Sequence, residues 1–262
     1  MKLSISLFIV VELMISCSEN TRSRNSTMTG SIQKKSASKL WLGIWERKQW
    51  GYGATLEIKN IRRDSILFSL KAFNGGHGGE LEGVAIVKQN VALFYQGNEY
   101  DTCLLEFKLT GDSAITIEQK KGICYAGMGV SYEGQYNNSK MLTEEKDETL
   151  LSLGIFKTEK EDSLFKSLVG NDYSLFVYST QTTSEEEDLD SLHAKVYYSG
   201  VTGLYTINEN IVMIDSLNNI WAAVLHGEKV HYFTNNNEYK MKIPKTIDKW
   251  RERFAEYPII YK

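Results

Sequence analysis

His77 stands in the run Asn74-Gly75-Gly76-His77-Gly78-Gly79, where an imidazole in a glycine-rich loop suggests phosphate binding. A phosphate cradle requires that loop to open a helix, so that amides and helix dipole converge on the anion. Strand-like residues flank it on both sides here, so the pattern predicts a wide hairpin turn with His77 exposed at its lip, a candidate binding contact. Glu80 and Glu82 follow on one face of a strand, about 6–7 Å apart. That separation suits the carboxylate pair of a glycoside hydrolase, but such pairs flank the bond and these two point the same way. A solvated rim is expected, with Glu80 retained as a binding contact. His226 and His231 flank the Gly227-Glu228 turn. Two imidazoles begin a metal site, yet the sequence shows no matched third ligand, so no metal is assigned. The run Glu185-Glu186-Glu187-Asp188-Leu189-Asp190 lacks the alternating ligands and the glycine of an EF-hand and reads as a solvated loop. No Gly-x-Ser-x-Gly elbow and no His-Glu-x-x-His is present. No catalytic residue, enzymatic activity or cofactor is therefore assigned.

The elements that must position these groups begin with an export segment. Met1-Lys2 precedes a mostly apolar run, Leu3 to Ile15, too short to span a bilayer, and then Ser16-Cys17. A basic start, a short apolar stretch and a small residue at the boundary make a secretory signal. Residues 18–38 are rich in Ser, Thr, Asn, Lys and Arg and cannot bury a core, so they read as a tether. A flexible chain of that length reaches about 25 Å. In an oxidising compartment Cys103 and Cys124 are expected to pair. Net charge is −3 with 24% charged residues, and no basic stripe marks a nucleic-acid partner.

Composition then divides the body. Fourteen of the twenty glycines lie between Gly43 and Gly134, whereas both prolines, Pro244 and Pro258, lie near the far end. The first part alternates with period two: Tyr52, Ala54, Leu56 and Ile58, then Ile66, Phe68 and Leu70, then Cys103, Leu105, Phe107 and Leu109. Counting from Trp41, about eight short strands are separated by glycine or Asn/Asp turns, with the seam expected between Gly43-Ile44-Trp45 and Gly134-Gln135-Tyr136. This predicts an eight-stranded antiparallel up-and-down β-barrel. Leu56, Ile58, Phe68, Leu70, Phe94, Leu105, Phe107 and Tyr132 are its expected interior, bulky enough to fill an eight-stranded barrel. The second part predicts a short helix capped by Asp162 and ended by Gly170, another from Asn171, three strands between Asn210 and Thr234, a helix opened by Pro244, and an edge strand after Pro258. The fold class expected is mainly β, a barrel over 39–140 followed by a small α+β domain over 141–262.

The stretch Leu13-Met14-Ile15-Ser16-Cys17 resembles the lipobox of bacterial lipoproteins. That resemblance implies a signal peptide of residues 1–16, a tether of 17–38 and lipidation of Cys17, with the lipid holding the protein on a membrane. In the enterobacterial sorting pattern it resembles, a residue other than Asp after the cysteine, here Ser18, implies the outer membrane. The Gly-x-Trp at Gly43-Ile44-Trp45 resembles the first strand of lipocalin-like barrels, whose tryptophan plugs one end. Residues 41–137 resemble small exported bacterial barrels, some alike in size and strand count to lysozyme inhibitors. No inhibitory motif matches, so no functional residue is carried over. A filled barrel moves function to loops and outer surface, where aromatics such as Tyr125, Tyr197 and Tyr198 are candidate anchors and Trp221 reads as core. The expected function is a non-catalytic binding lipoprotein of the cell envelope, with an exported protein or cell-wall glycan as partner and a cell-wall lytic enzyme as a target of inhibition. The alternatives are a small-molecule carrier with an empty calyx, or a hydrolase with its site between the two parts.

Overall fold

The computed structural model describes residues 39–97, 101–142 and 147–262. The expected signal, tether and Cys17 lie outside the described residues. All described residues belong to one compact unit, which holds a closed barrel and a six-stranded sheet.

The barrel runs β1 (Gly43–Gln49), β2 (Tyr52–Arg62), β3 (Ser65–Asn74), β4 (His77–Lys88), β5 (Val91–Gly97), β6 (Thr102–Thr110), β7 (Ala114–Gly122) and β8 (Gly134–Asn138). Each strand pairs antiparallel with the next, and β1 pairs with β8. Closure removes the open edges that a meander would leave. Alternation dictates the filling. The eight residues expected inside are all buried. Phe68 lies 5.1 Å from the Phe94 ring, edge to face, and 5.0 Å from the Phe107 ring. Trp45 is fully buried, its Nε1 donating to Trp41 O at 3.1 Å. Cys103 and Cys124 form the expected disulfide.

Three local expectations are corrected. The seam joins the two expected strands, but its pairs are Trp45 with Asn138 and Glu46 with Asn137, one and two residues beyond Tyr136. The expected interior residue Tyr132 is buried but not on a strand: the segment before β8 runs past the β3–β4 turn, where Gly127 N donates to Gly78 O at 2.9 Å and Asn74 Nδ2 to Gly129 O at 3.0 Å. The glycine-rich turn is tight rather than wide: Asn74 pairs with His77, leaving only Gly75-Gly76 between strands.

The second sheet has the order β14-β13-β12-β11-β10-β9. Its members are β9 (Thr182–Glu186), β10 (Lys195–Gly200), β11 (Glu209–Ile214), β12 (Ile220–Leu225), β13 (Val230–Thr234) and β14 (Ile259–Tyr261). Every residue of β11, β12 and β13 is buried, because helices cover both faces. On one face Val212, Ala222, Val224 and Phe233 pack with Phe165 and Phe176 from α1 (Glu159–Val169) and α2 (Tyr173–Tyr178). On the other, Ile211, Met213, Trp221 and Ala223 pack with Ile247 and Trp250 from α3 (Lys245–Arg251). Pro244 precedes α3 and Gly170 follows α1, as expected. The α1 cap is Thr158, not Asp162: Thr158 and Glu161 form a capping box. Asp162 instead turns inward, accepting from Tyr173 Oη at 2.6 Å and pairing with Lys166 at 2.7 Å.

Candidate functional site

The barrel offers a cleft at its mouth and an apolar stripe on its outer wall. The cleft, of about 260 Å³, is lined by Glu80, Leu81, Asp101, Cys103, Ile123 and Tyr125, among others. β4 supplies Glu80, and the disulfide ties the segment carrying Ile123 and Tyr125 to the start of β6. Tyr125 is 70% exposed. Its hydroxyl donates to Asp101 Oδ2 at 2.6 Å, and that bond holds the phenol above its ordinary pKa. The cleft thus brings together two of the expected contacts, Glu80 and Tyr125.

His77 is not with them. Its ring is half-buried against the loop after β10: a methyl group added at Gly203 would lie 2.5 Å from His77 Nε2. The expectation of an exposed His77 is corrected, because the tight Gly75-Gly76 turn carries the imidazole into a packing contact. Glu80 and Glu82 are each answered by a lysine, Lys71 and Lys59. The Ser69 hydroxyl, together with Lys59, holds Glu82 below the usual carboxylate range. These are solvated pairs at a rim rather than an acid and a base facing one bond.

The apolar stripe was not anticipated. Leu67, Val84, Ile86, Leu93 and Tyr95 are between 43% and 61% exposed. They alternate with the inward residues of β3, β4 and β5, and the register sets Leu67 beside Val84 and Ile86 beside Leu93. Alternating outward hydrophobes on adjacent strands are the sequence signal, but it is hidden in runs that also supply the core.

A groove of about 760 Å³ beside the β1–β2 hairpin includes Arg47, Trp50, Tyr52, Phe73 and Glu148. Its charged groups do not converge. Arg47 Nη2 donates to Ser131 O at 2.5 Å and the guanidinium faces the Tyr136 ring. Glu148 accepts from Ser152 Oγ at 2.6 Å.

In the second sheet the acidic run is not a solvated loop throughout. Glu185 and Glu186 belong to β9, and Asp188 and Asp190 accept backbone hydrogen bonds. His226 and His231 do meet across the β12–β13 hairpin, with ring centroids 5.0 Å apart. A carboxylate distant in the sequence, that of Asp172, joins them: its Oδ2 lies 2.7 Å from His231 Nδ1. Tyr197 is buried and Tyr198 half-buried, so these two expected anchors serve the core, and Trp221 is buried as expected.

No protein-family model, curated protein or solved structure matches the chain.

Proposed function

We propose that this chain is a non-catalytic binding lipoprotein of the cell envelope, lipid-anchored through Cys17 to the outer membrane, whose lipocalin-like barrel engages an exported macromolecule. The observation that carries the reading is the pairing of a filled interior with an apolar outer wall. Phe68, Phe94 and Phe107 occupy the axis, where a carrier needs an empty calyx. Five half-exposed hydrophobes stand on the wall outside them. Contiguous exposed apolar surface of this kind is costly in water and marks an interaction face. The wall is mixed with paired charges rather than basic, which favours a protein or glycan partner over nucleic acid.

A cell-wall lytic enzyme is the partner class to test first. Purified mature protein is expected to slow muramidase digestion of cell walls or to retain an exported partner from envelope extract. Ile86→Glu, on the exposed face, is expected to reduce that capture at least tenfold while leaving the circular dichroism spectrum unchanged. No inhibition of several lytic enzymes removes the inhibitor role. Failure to retain any exported protein or glycan removes the binding function. The anchor is tested separately: labelled palmitate is expected in the wild type and not in Cys17→Ala.

A further inference from the structure

We propose that Asp172, His226 and His231 form a binding site for a divalent transition-metal ion of the zinc class. The three side chains each offer a ligand atom, and those atoms all lie within 4.8 Å of one another. The fold builds this convergence from two directions. In the β12–β13 hairpin, Val224 is opposite His231 and Leu225 is opposite Val230. Two-residue alternation then sets His226 on the same face as Val224, diagonal to His231. That face is the one covered by α1 and α2, since Phe233 on it lies 6.0 Å from the Phe176 ring. Asp172 arrives from the junction between those helices, 59 residues before His231 in the chain. It sits at the start of α2 but makes no side-chain capping bond there. Its carboxylate is turned to the imidazole instead.

The donor set is two nitrogens and one oxygen, which suits zinc and its neighbours and leaves a fourth position for water. Around a tetrahedral zinc with bonds of about 2.0–2.2 Å, donors stand roughly 3.3 Å apart. His231 is 8% exposed and fixed by the strand. The exposed His226, on a turn with Gly227 at φ +61°, has the freedom to close onto an ion held by the other two. The Asp172–His231 hydrogen bond would open by some tenths of an ångström to admit it. A bound ion would clamp the hairpin to the helix junction.

Metal-free, tag-free mature protein is titrated with zinc by calorimetry and with cobalt(II) by visible absorption. The expected result is one saturable zinc site per chain in the micromolar range or tighter, with cobalt d–d bands of a four- or five-coordinate ion. His226→Ala, an exposed substitution that spares the fold, is expected to weaken zinc at least tenfold and abolish the cobalt bands. Asp172→Asn is expected to weaken zinc at least tenfold. His193→Ala, exposed on the segment between β9 and β10, is expected to change neither. Absence of a one-to-one zinc site overturns the proposal, as does binding that His226→Ala or Asp172→Asn leaves unchanged.

Discussion

Asp190 caps the start of α3 from a distance. Pro244 occupies the cap position of that helix and has no side-chain acceptor to offer its first amides. Asp190 Oδ1 accepts from Lys245 N at 2.8 Å, and Oδ2 accepts from Thr246 N at 2.9 Å and Thr246 Oγ1 at 2.8 Å. Burial alone would raise the Asp190 pKa. The Thr246 and Lys245 donors more than reverse that, and the carboxyl is held below the usual carboxylate range. A depressed folded-state value means the stabilisation is complete above the unfolded value of about 4. It is lost as pH falls through the folded value. Asp190→Ala is therefore expected to cost about 1–2 kcal/mol at pH 7 by urea denaturation. The gap between variant and wild type should narrow near pH 3; a gap that stays constant with pH would refute the ionised cap. Neither this cap nor Asp172 was legible in the sequence. Both act across more than fifty residues, where spacing carries no signal, whereas the Thr158–Glu161 box is local and competes in the sequence with Asp162, which also suits a first turn.

Elements were legible to the extent that solvent contrast wrote them into the sequence. The barrel strands have a wet face and a dry face, so Leu56, Ile58, Phe68 and Leu70 stand out by alternation. β11, β12 and β13 are buried on both faces and stand out as short apolar runs. β9 is exposed at every residue and carries Thr182, Thr183, Ser184, Glu185 and Glu186, so nothing in its side chains marks a strand. Its pairing to β10 rests on the backbone ladder and two side-chain bonds, Thr182 Oγ1 to Gly200 O and Thr183 Oγ1 with Ser199 Oγ, both at 2.9 Å. β10, in which Val196, Tyr197, Ser199 and Gly200 are all buried, shows no alternation that distinguishes it from a loop. The disulfide acts at this scale as well. Cys103 opens β6 and Cys124 follows β7, so the bridge closes a hairpin the sheet already holds. Its contribution is to restrict the unfolded chain, and for a loop of this length that amounts to about 3 kcal/mol. Cys103→Ala with Cys124→Ala should lose that amount in urea denaturation. It should also loosen Tyr125 over the mouth cleft, raising amide exchange from Ile123 to Val130. Free thiols at these positions in the oxidised protein would contradict the bridge.

At the scale of the molecule, the barrel and the second sheet are joined by backbone and side-chain contacts together. Gly76 N donates to Thr202 O at 2.8 Å, and Trp50 Nε1 donates to Thr180 O at 2.8 Å while its ring packs on the α1–α2 core. Gly75 carries φ +58°, and a methyl group there would lie 2.2 Å from Thr202 O, so both its conformation and its neighbour require glycine. Gly203, at φ +76°, receives the His77 ring in the same way. Such contacts couple the stability of the two parts, because opening either one strands polar groups and apolar surface of the other. The mature protein is expected to unfold in a single calorimetric transition whose van't Hoff and calorimetric enthalpies agree. Trp50→Ala removes a half-buried ring and its hydrogen bond and should cost about 2–3 kcal/mol. Combined with Gly203→Val, which drives a side chain into His77, it should split the transition in two, with barrel and sheet melting apart. Two transitions in the wild type would mean that the hairpin contacts carry no coupling. An unsplit transition in the double variant would mean that the coupling runs through other contacts than Trp50, His77 and Gly203.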